Sequence, residues 1–173
     1  QTTSPGIFAT YFNLGLSIFA IIISKKSPLA INTVSVRREI ISKTVFTIRN
    51  GNNCFLEIFF EDLRLMGFTD VNTYFSGEEP RNFEIHIRKT LKPSDIILTL
   101  AHEMVHVKQI ARGQLKYVGK KIFWKGERVY PKKMSYYNHP WEIDAWRNEK
   151  VLASRVWYLF EKIGVTDKIK FGG

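Results

Sequence analysis

The chain has 173 residues, of which 45% are hydrophobic and 14% aromatic; this is enough apolar material for one folded domain, which argues against a disordered chain. Its formal net charge of +10 favours acidic partners such as nucleic acid, an anionic membrane or an acidic protein, although a solvated basic surface would account for it equally well. The single cysteine, Cys54, excludes an internal disulfide and a site built from several thiolates, so any metal must use nitrogen and oxygen ligands.

Residues 1–33 form an apolar segment with a linker, and we separate them from a domain over residues 34–173. Residues 7–24 carry no charge and precede Lys25 and Lys26, which makes them a candidate membrane span. A membrane anchor, a packed helix and an untranslated upstream extension are all open, and we favour the extension because strand-like periodicity begins abruptly after the linker. If the segment is an anchor, the two lysines would hold the domain on the cytoplasmic side.

The first half of the domain mixes strand and helix patterns. Alternating apolar residues predict one or two strands over residues 34–48. Apolar residues at helical spacing predict an amphipathic helix over residues 54–66, with Gly67 as its C-terminal stop. A short strand is expected over residues 71–75, and strict alternation of apolar and polar residues predicts a half-buried strand over residues 83–87.

Helical patterns dominate the second half. Pro93 opens a helix that ends at Gly113, and Pro140 opens a final helix that runs to about Gly164. Between them, residues 115–130 are rich in aromatic and β-branched residues and suit a hairpin or an ordered loop. The order of elements predicts an α+β fold, in which a small mixed sheet packs against the two helices.

The helix that begins at Pro93 contains the sequence His-Glu-Met-Val-His at residues 102–106. Residues four apart lie one above the other on a helix, so His102 and His106 can both reach one zinc ion. Glu103 lies about 100° further round the helix and can act as general base toward a water that the metal has made acidic. The alternative is a buried helix whose histidines are satisfied by hydrogen bonds, but burying these groups together without a metal would be unfavourable.

A catalytic zinc ion usually has three protein ligands, and Glu142 is our choice for the third. It lies on the mostly core-facing stripe of the final helix, where a buried carboxylate needs a cation; the alternative is an exposed first-turn glutamate favoured by the helix dipole. His139 is the second candidate ligand, and it could instead cap the helix or donate to the oxyanion. Tyr136 and Tyr137 are also candidates for that donation, and Asp144 could orient a ligating histidine.

A basic segment, residues 114–133, lies between the two helices and carries a net charge of +6 from seven basic residues and one acid. Aromatic residues alternate with the lysines, as on surfaces that bind single-stranded nucleic acid. We prefer a hairpin with its aromatic face in the core, and keep a nucleic-acid partner as the alternative. The basic residues are Lys116, Lys120, Lys121, Lys125, Arg128, Lys132 and Lys133.

With its motif at residues 101–109 (AHEMVHVKQ) and the sequence PWEIDA at residues 140–145, the chain resembles the zincin metallopeptidases that use a glutamate as third ligand. From about residue 34 onwards it looks like small metallopeptidases encoded by tailed bacteriophages, and in outline it is similar to SprT-like proteins. This resemblance implies one zinc ion, a glutamate base and hydrolysis of peptide bonds in a peptide or protein substrate. The expected compartment is the cytoplasm of the host cell, with membrane anchoring as the alternative if residues 7–24 are expressed. Trp146 departs from the thermolysin pattern, which has aspartate there, and only His139 could supply the third histidine of SprT-like proteins.

Three functions follow as hypotheses. The first is a zinc endopeptidase, and the second is a DNA-associated protease that docks through the basic segment. The third is a metal-stabilised structural or virion protein without turnover. Glu103 favours an enzyme, because zinc binding alone does not require a carboxylate at that position.

Overall fold

In the computed structural model, residues 40–48, 52–71 and 80–162 are described. The predicted N-terminal segment 1–33 and most of the predicted strand 71–75 lie outside these ranges. Among the described residues, none of the helices has the length and apolarity needed to cross a membrane.

The predicted α+β class is confirmed, with two small sheets and two long helices. Two single-turn 3-10 helices, at Pro131–Lys133 and Tyr136–Asn138, precede the second long helix. In chain order the main elements are β1 (Ile40–Ile48), β2 (Asn52–Glu61), β3 (Gly67–Val71), β4 (Asn82–Arg88), α1 (Pro93–Ala111), β5 (Leu115–Val118), β6 (Lys121–Trp124), β7 (Glu127–Val129) and α2 (Pro140–Lys162).

The first sheet is mixed and has the strand order β1-β2-β4-β3. β1 and β2 are antiparallel, β2 and β4 are parallel, and β3 is antiparallel to β4. The alternation predicted for residues 83–87 is confirmed, since Phe83, Ile85 and Ile87 are buried while their neighbours are partly exposed. This buried face packs against α1, and α2 packs along α1.

The helix predicted over residues 54–66 is wrong, because most of this segment forms strand β2. Cys54, Leu56 and Ile58 are each at most 1% exposed, so burial follows a period of two and not the helical period. β2 pairs with β1 on one side and β4 on the other, and these ladders satisfy its backbone where a helix could not fit. Pairing with strands on both sides therefore overrides the local helical spacing.

Gly67 begins β3 and does not end a helix. A side chain there would bring a Cβ atom to 2.7 Å from Thr99 Cγ2 on α1 and 2.9 Å from the carbonyl oxygen of His86. The absence of a side chain lets β3 pass directly against α1. This close approach brings the next inward-facing residue of β3, Thr69, to the motif on α1.

The two long helices begin where their prolines predict. Pro93 opens α1, and the helix closes through Gly113, whose φ of 64° lies in the left-handed region favoured by glycine. Pro140 opens α2, and the backbone N–H of Ile143 donates to the carbonyl oxygen of His139 in its first turn. The proline and glycine signals thus set the ends of α1 and the start of α2.

The segment predicted as a hairpin or ordered loop forms a second, antiparallel sheet with the order β5-β6-β7. Gly119 and Gly126 lie in its two turns with positive φ angles. Ile122, Trp124 and Val129 lie on one face of this sheet and pack against the core. The predicted packing of an aromatic side chain against the core is therefore confirmed for Trp124. The other face of the sheet carries Lys116, Phe123 and Arg128.

Candidate metal centre

His102 and His106 lie one turn apart on α1, and their rings converge on one point. Their Nε2 atoms are 3.1 Å apart and the ring planes stand at 80° to each other. Both side chains are mostly buried, with 13% and 12% of their surface exposed. The helical backbone by itself brings the two imidazoles to the same place.

Glu142, in the first turn of α2, completes the cluster. Its Oε2 atom lies 3.2 Å from Nε2 of His102 and 3.5 Å from Nε2 of His106, and the residue is 5% exposed. Ala145, almost one turn further along α2, is fully buried and small, which permits close packing of α2 against α1. Among the described residues, these three form the group that could hold a metal ion.

The spacing of the three atoms fits a single zinc ion. Zinc bonds to nitrogen and oxygen are about 2.0–2.1 Å long, so ligand atoms at the corners of a tetrahedron are about 3.3 Å apart. The three separations here are 3.1, 3.2 and 3.5 Å. Three protein ligands leave the fourth corner open, as in catalytic zinc sites.

The far side of the His102 ring is held by a carboxylate. Nδ1 of His102 lies 2.8 Å from Oε2 of Glu149, two turns along α2 from Glu142. A carboxylate only accepts hydrogen bonds, so Nδ1 carries the proton and donates it. In the neutral ring, Nε2 is then left with its lone pair directed at the cluster, as ligating histidines require.

The His106 ring is held in the same way through an amide. Nδ1 of His106 lies 2.9 Å from Oε1 of Gln109. Nε2 of Gln109 donates to Oδ2 of Asp144 at 2.9 Å and to the carbonyl oxygen of Trp141 at 3.0 Å, which fixes the orientation of the amide. Oε1 of Gln109 therefore accepts a hydrogen bond from Nδ1 of His106. In the neutral ring, the lone pair on Nε2 of His106 then also points at the cluster.

Burial and hydrogen bonds have opposite effects on the pKa values of the clustered residues. Burial lowers the pKa of both histidines, but hydrogen bonds to carboxylates outweigh it and raise their pKa above the usual value. Burial likewise raises the pKa of Glu142, yet the hydrogen bonds from His102 and His106 outweigh it and hold that pKa well below its usual range. The geometry thus favours positive charge among these groups, whether protons or a metal ion provide it.

Glu103 lies beside the cluster without joining it. The residue is 6% exposed, and its Oε2 atom accepts a hydrogen bond of 2.7 Å from the Thr69 hydroxyl on β3. Burial raises the pKa of Glu103, although the nearby His106 and the Thr69 hydrogen bond oppose that shift. A carboxyl group with a raised pKa suits proton transfer near neutral pH.

The candidate oxyanion donors occupy different surroundings. Burial raises the pKa of Tyr136, and the nearby Glu142 carboxylate raises it further. Tyr137 is 72% exposed and stacks on Trp146, with ring centroids 5.5 Å apart. Nε2 of His139 lies 3.4 Å from the carbonyl oxygen of Pro131, and His139 is not among the three clustered ligands of the described chain.

Glu149, Gln109 and Thr69 support the site but were not singled out from the sequence. Glu149 had a detectable signal, since it lies on the same stripe of the final helix that predicts Glu142. Thr69 had none, because its partner Glu103 lies on another element. Gln109 lies three residues after His106 on the same helix, a spacing that brings the two side chains together. Asp144, expected to orient a histidine directly, contacts Gln109 and acts on His106 through that amide.

Replacing Glu149 by glutamine tests the support of His102. We expect Glu149→Gln to weaken zinc binding by about tenfold, since partners of ligating histidines typically contribute 10–100-fold to metal affinity. The affinity would be measured by zinc titration in competition with a chromophoric chelator. Glu161→Gln, at an exposed position on the same helix, is the matched control. Equal affinities for the two variants would contradict a role for Glu149.

Comparisons of the chain with protein-family models, with curated proteins and with solved structures returned no match. The interpretation of this site therefore depends on the geometry of its own residues.

Proposed function

We propose that this protein is a zinc-dependent peptidase in which His102, His106 and Glu142 bind the metal. The observation that carries the proposal is the convergence of two imidazole Nε2 atoms and one carboxylate oxygen at 3.1–3.5 Å. The far sides of both rings are already engaged, so both lone pairs face the carboxylate with no donor between them in the neutral state. The two nitrogen lone pairs and the carboxylate repel one another, and a divalent cation bound between them removes this repulsion.

When bound, zinc supplies Lewis acidity to a water molecule and to a peptide carbonyl group. Glu103 is the general base: its buried carboxylate accepts a proton from that water and can pass it to the leaving amine. Thr69 holds this carboxylate through the hydrogen bond to Oε2. The residue therefore has a fixed orientation beside the cluster before any substrate binds.

Of the groups expected to stabilise the oxyanion, Tyr136 is supported best, because it lies near the proposed ligand Glu142. Its hydroxyl remains a donor at neutral pH and is able to turn toward a carbonyl oxygen at the open corner. The roles expected for Tyr137 and His139 stay predictions. The proposed compartment is the cytoplasm of the host cell, consistent with a sole cysteine that is buried and free.

The second candidate function is metal-stabilised structure without turnover. The buried position of Glu103 favours the peptidase, because burying a carboxylate costs desolvation free energy that a purely structural site has no need to spend. A structural zinc site also usually has four protein ligands, whereas three converge here among the described residues.

The experiment combines metal analysis with an unbiased substrate. Purified protein would be loaded with zinc and incubated with a proteome-derived peptide library, and new termini would be identified by mass spectrometry. We expect one zinc per chain, cleavage of internal peptide bonds, loss of cleavage on chelation and recovery when zinc is restored. One bound zinc with no new termini would favour the structural candidate, and failure to bind zinc would exclude both.

A further inference from the structure

The second sheet has an outward face that is basic. Lys116 on β5, Phe123 on β6 and Arg128 on β7 lie directly opposite one another across the three strands. Directly opposed residues of an antiparallel sheet share a face, so these side chains form one row. Adjacent strands are about 4.8 Å apart, which separates the two cations of the row by about 10 Å at the backbone.

The other face of this sheet packs in part against the core. Leu115 and Trp124, which are opposed in the next register position, belong to the core or pack against it. Glu127 is opposed to Trp124 and shares that face, although it is exposed to solvent. The only acid of the basic segment therefore lies on the opposite face from the row.

More cations and rings surround the row. Lys121 is on the outward face, because its register partner Val118 lies two residues from Lys116 on β5. Lys121 is also exposed to solvent. Tyr130, next to β7, is 46% exposed and lies 4.6 Å from the Arg128 guanidinium and 5.1 Å from Nζ of Lys133. Cations and aromatic rings thus alternate on this face of the sheet.

We propose that this outward face of β5-β6-β7 binds single-stranded nucleic acid, with a base stacked on Phe123 and flanking phosphates at Lys116 and Arg128. The charge of the segment is complementary to a phosphodiester backbone, and an aromatic ring between two cations is suited to a base between two phosphates. A duplex keeps its bases stacked inside and offers no free base to Phe123. An acidic polypeptide would meet the cations but has no planar group for the ring.

The test is fluorescence anisotropy of a labelled oligothymidylate of about 20 nucleotides with the full-length chain at several salt concentrations. We expect affinity to fall steeply with salt, because each phosphate that is neutralised contributes about −0.7 to the logarithmic slope for single strands. Lys116→Gln with Arg128→Gln should make that slope shallower by about 0.7 per cation. Phe123→Leu should weaken binding about tenfold at fixed salt and leave the slope unchanged.

The matched control is Lys150→Gln with Arg155→Gln, which removes the same charge from exposed positions on α2. It should bind the oligonucleotide like the wild-type chain. Equal binding of a duplex of the same length, unaffected affinity in Phe123→Leu, or equal displacement by polyglutamate would each overturn the proposal. The proposed binding does not depend on peptidase activity, so Glu103→Gln should bind the oligonucleotide with wild-type affinity. Either proposal can therefore be wrong while the other is right.

Discussion

Replacing Glu103 by glutamine is expected to lower peptide cleavage by about 100- to 10,000-fold, the range that a positioned general base contributes. Glutamine has the size of glutamate and its amide oxygen can still accept the Thr69 hydrogen bond, but it cannot take a proton from water. Because Glu103 is not one of the three clustered ligands, zinc stoichiometry should stay at one per chain. The expected variant is therefore folded, loaded with metal and inactive.

The rate would be measured on a peptide found in the library experiment, with zinc content determined on the same sample. Glu161→Gln makes the same chemical change at an exposed site and should keep wild-type activity. If Glu103→Gln cleaves at the wild-type rate, Glu103 is not the base. If it loses zinc as well as activity, the carboxylate supports the metal and the assigned role is wrong.

Replacing Glu142 by glutamine is expected to weaken zinc binding more than 100-fold and to abolish cleavage at limiting zinc. A protein zinc site is worth about 10 kcal/mol or more, so loss of one anionic ligand among three removes about 3 kcal/mol. That free energy corresponds to more than a hundredfold in affinity. The amide also leaves the two histidines without the carboxylate that now lies 3.2 and 3.5 Å from their Nε2 atoms.

The matched variant is His139→Ala, which removes the other candidate third ligand. Nε2 of His139 is engaged with the Pro131 carbonyl oxygen, so this change should leave zinc affinity close to that of the wild-type chain. Affinity would be measured for both variants by the same competition titration. The opposite pattern, with zinc lost from His139→Ala and retained by Glu142→Gln, would make His139 the ligand.

The motif helix was predictable because its signals are local. Pro93 at its start, Gly113 just beyond its end and the four-residue spacing of the histidines all act within one element. The same holds for the start of the final helix at Pro140 and for the burial of Glu142 on its apolar stripe. These features needed no knowledge of the distant chain.

Strand β2 was not predictable on those terms. Phe55, Ile58 and Phe59 have helical spacing, and only pairing with strands on both sides selects the extended form. The parallel pairing with β4 joins residues that are far apart in sequence, such as Phe55 and Asn82, so a local pattern cannot anticipate it. The surroundings of His86 follow from the same sheet, since its ring stacks between Phe59 and Phe68 from the neighbouring strands.

The two histidines, the glutamate between them and their helix could be identified from the sequence alone, since a helix of 3.6 residues per turn relates all three residues. Their surroundings depend on how distant elements pack. Glu142 and Glu149 reach His102 from α2, 40 and 47 residues away along the chain, and Thr69 reaches Glu103 from β3, 34 residues away. The orientation and charge of the site arise where helices and sheet meet, because buried polar groups must find partners wherever packing puts them.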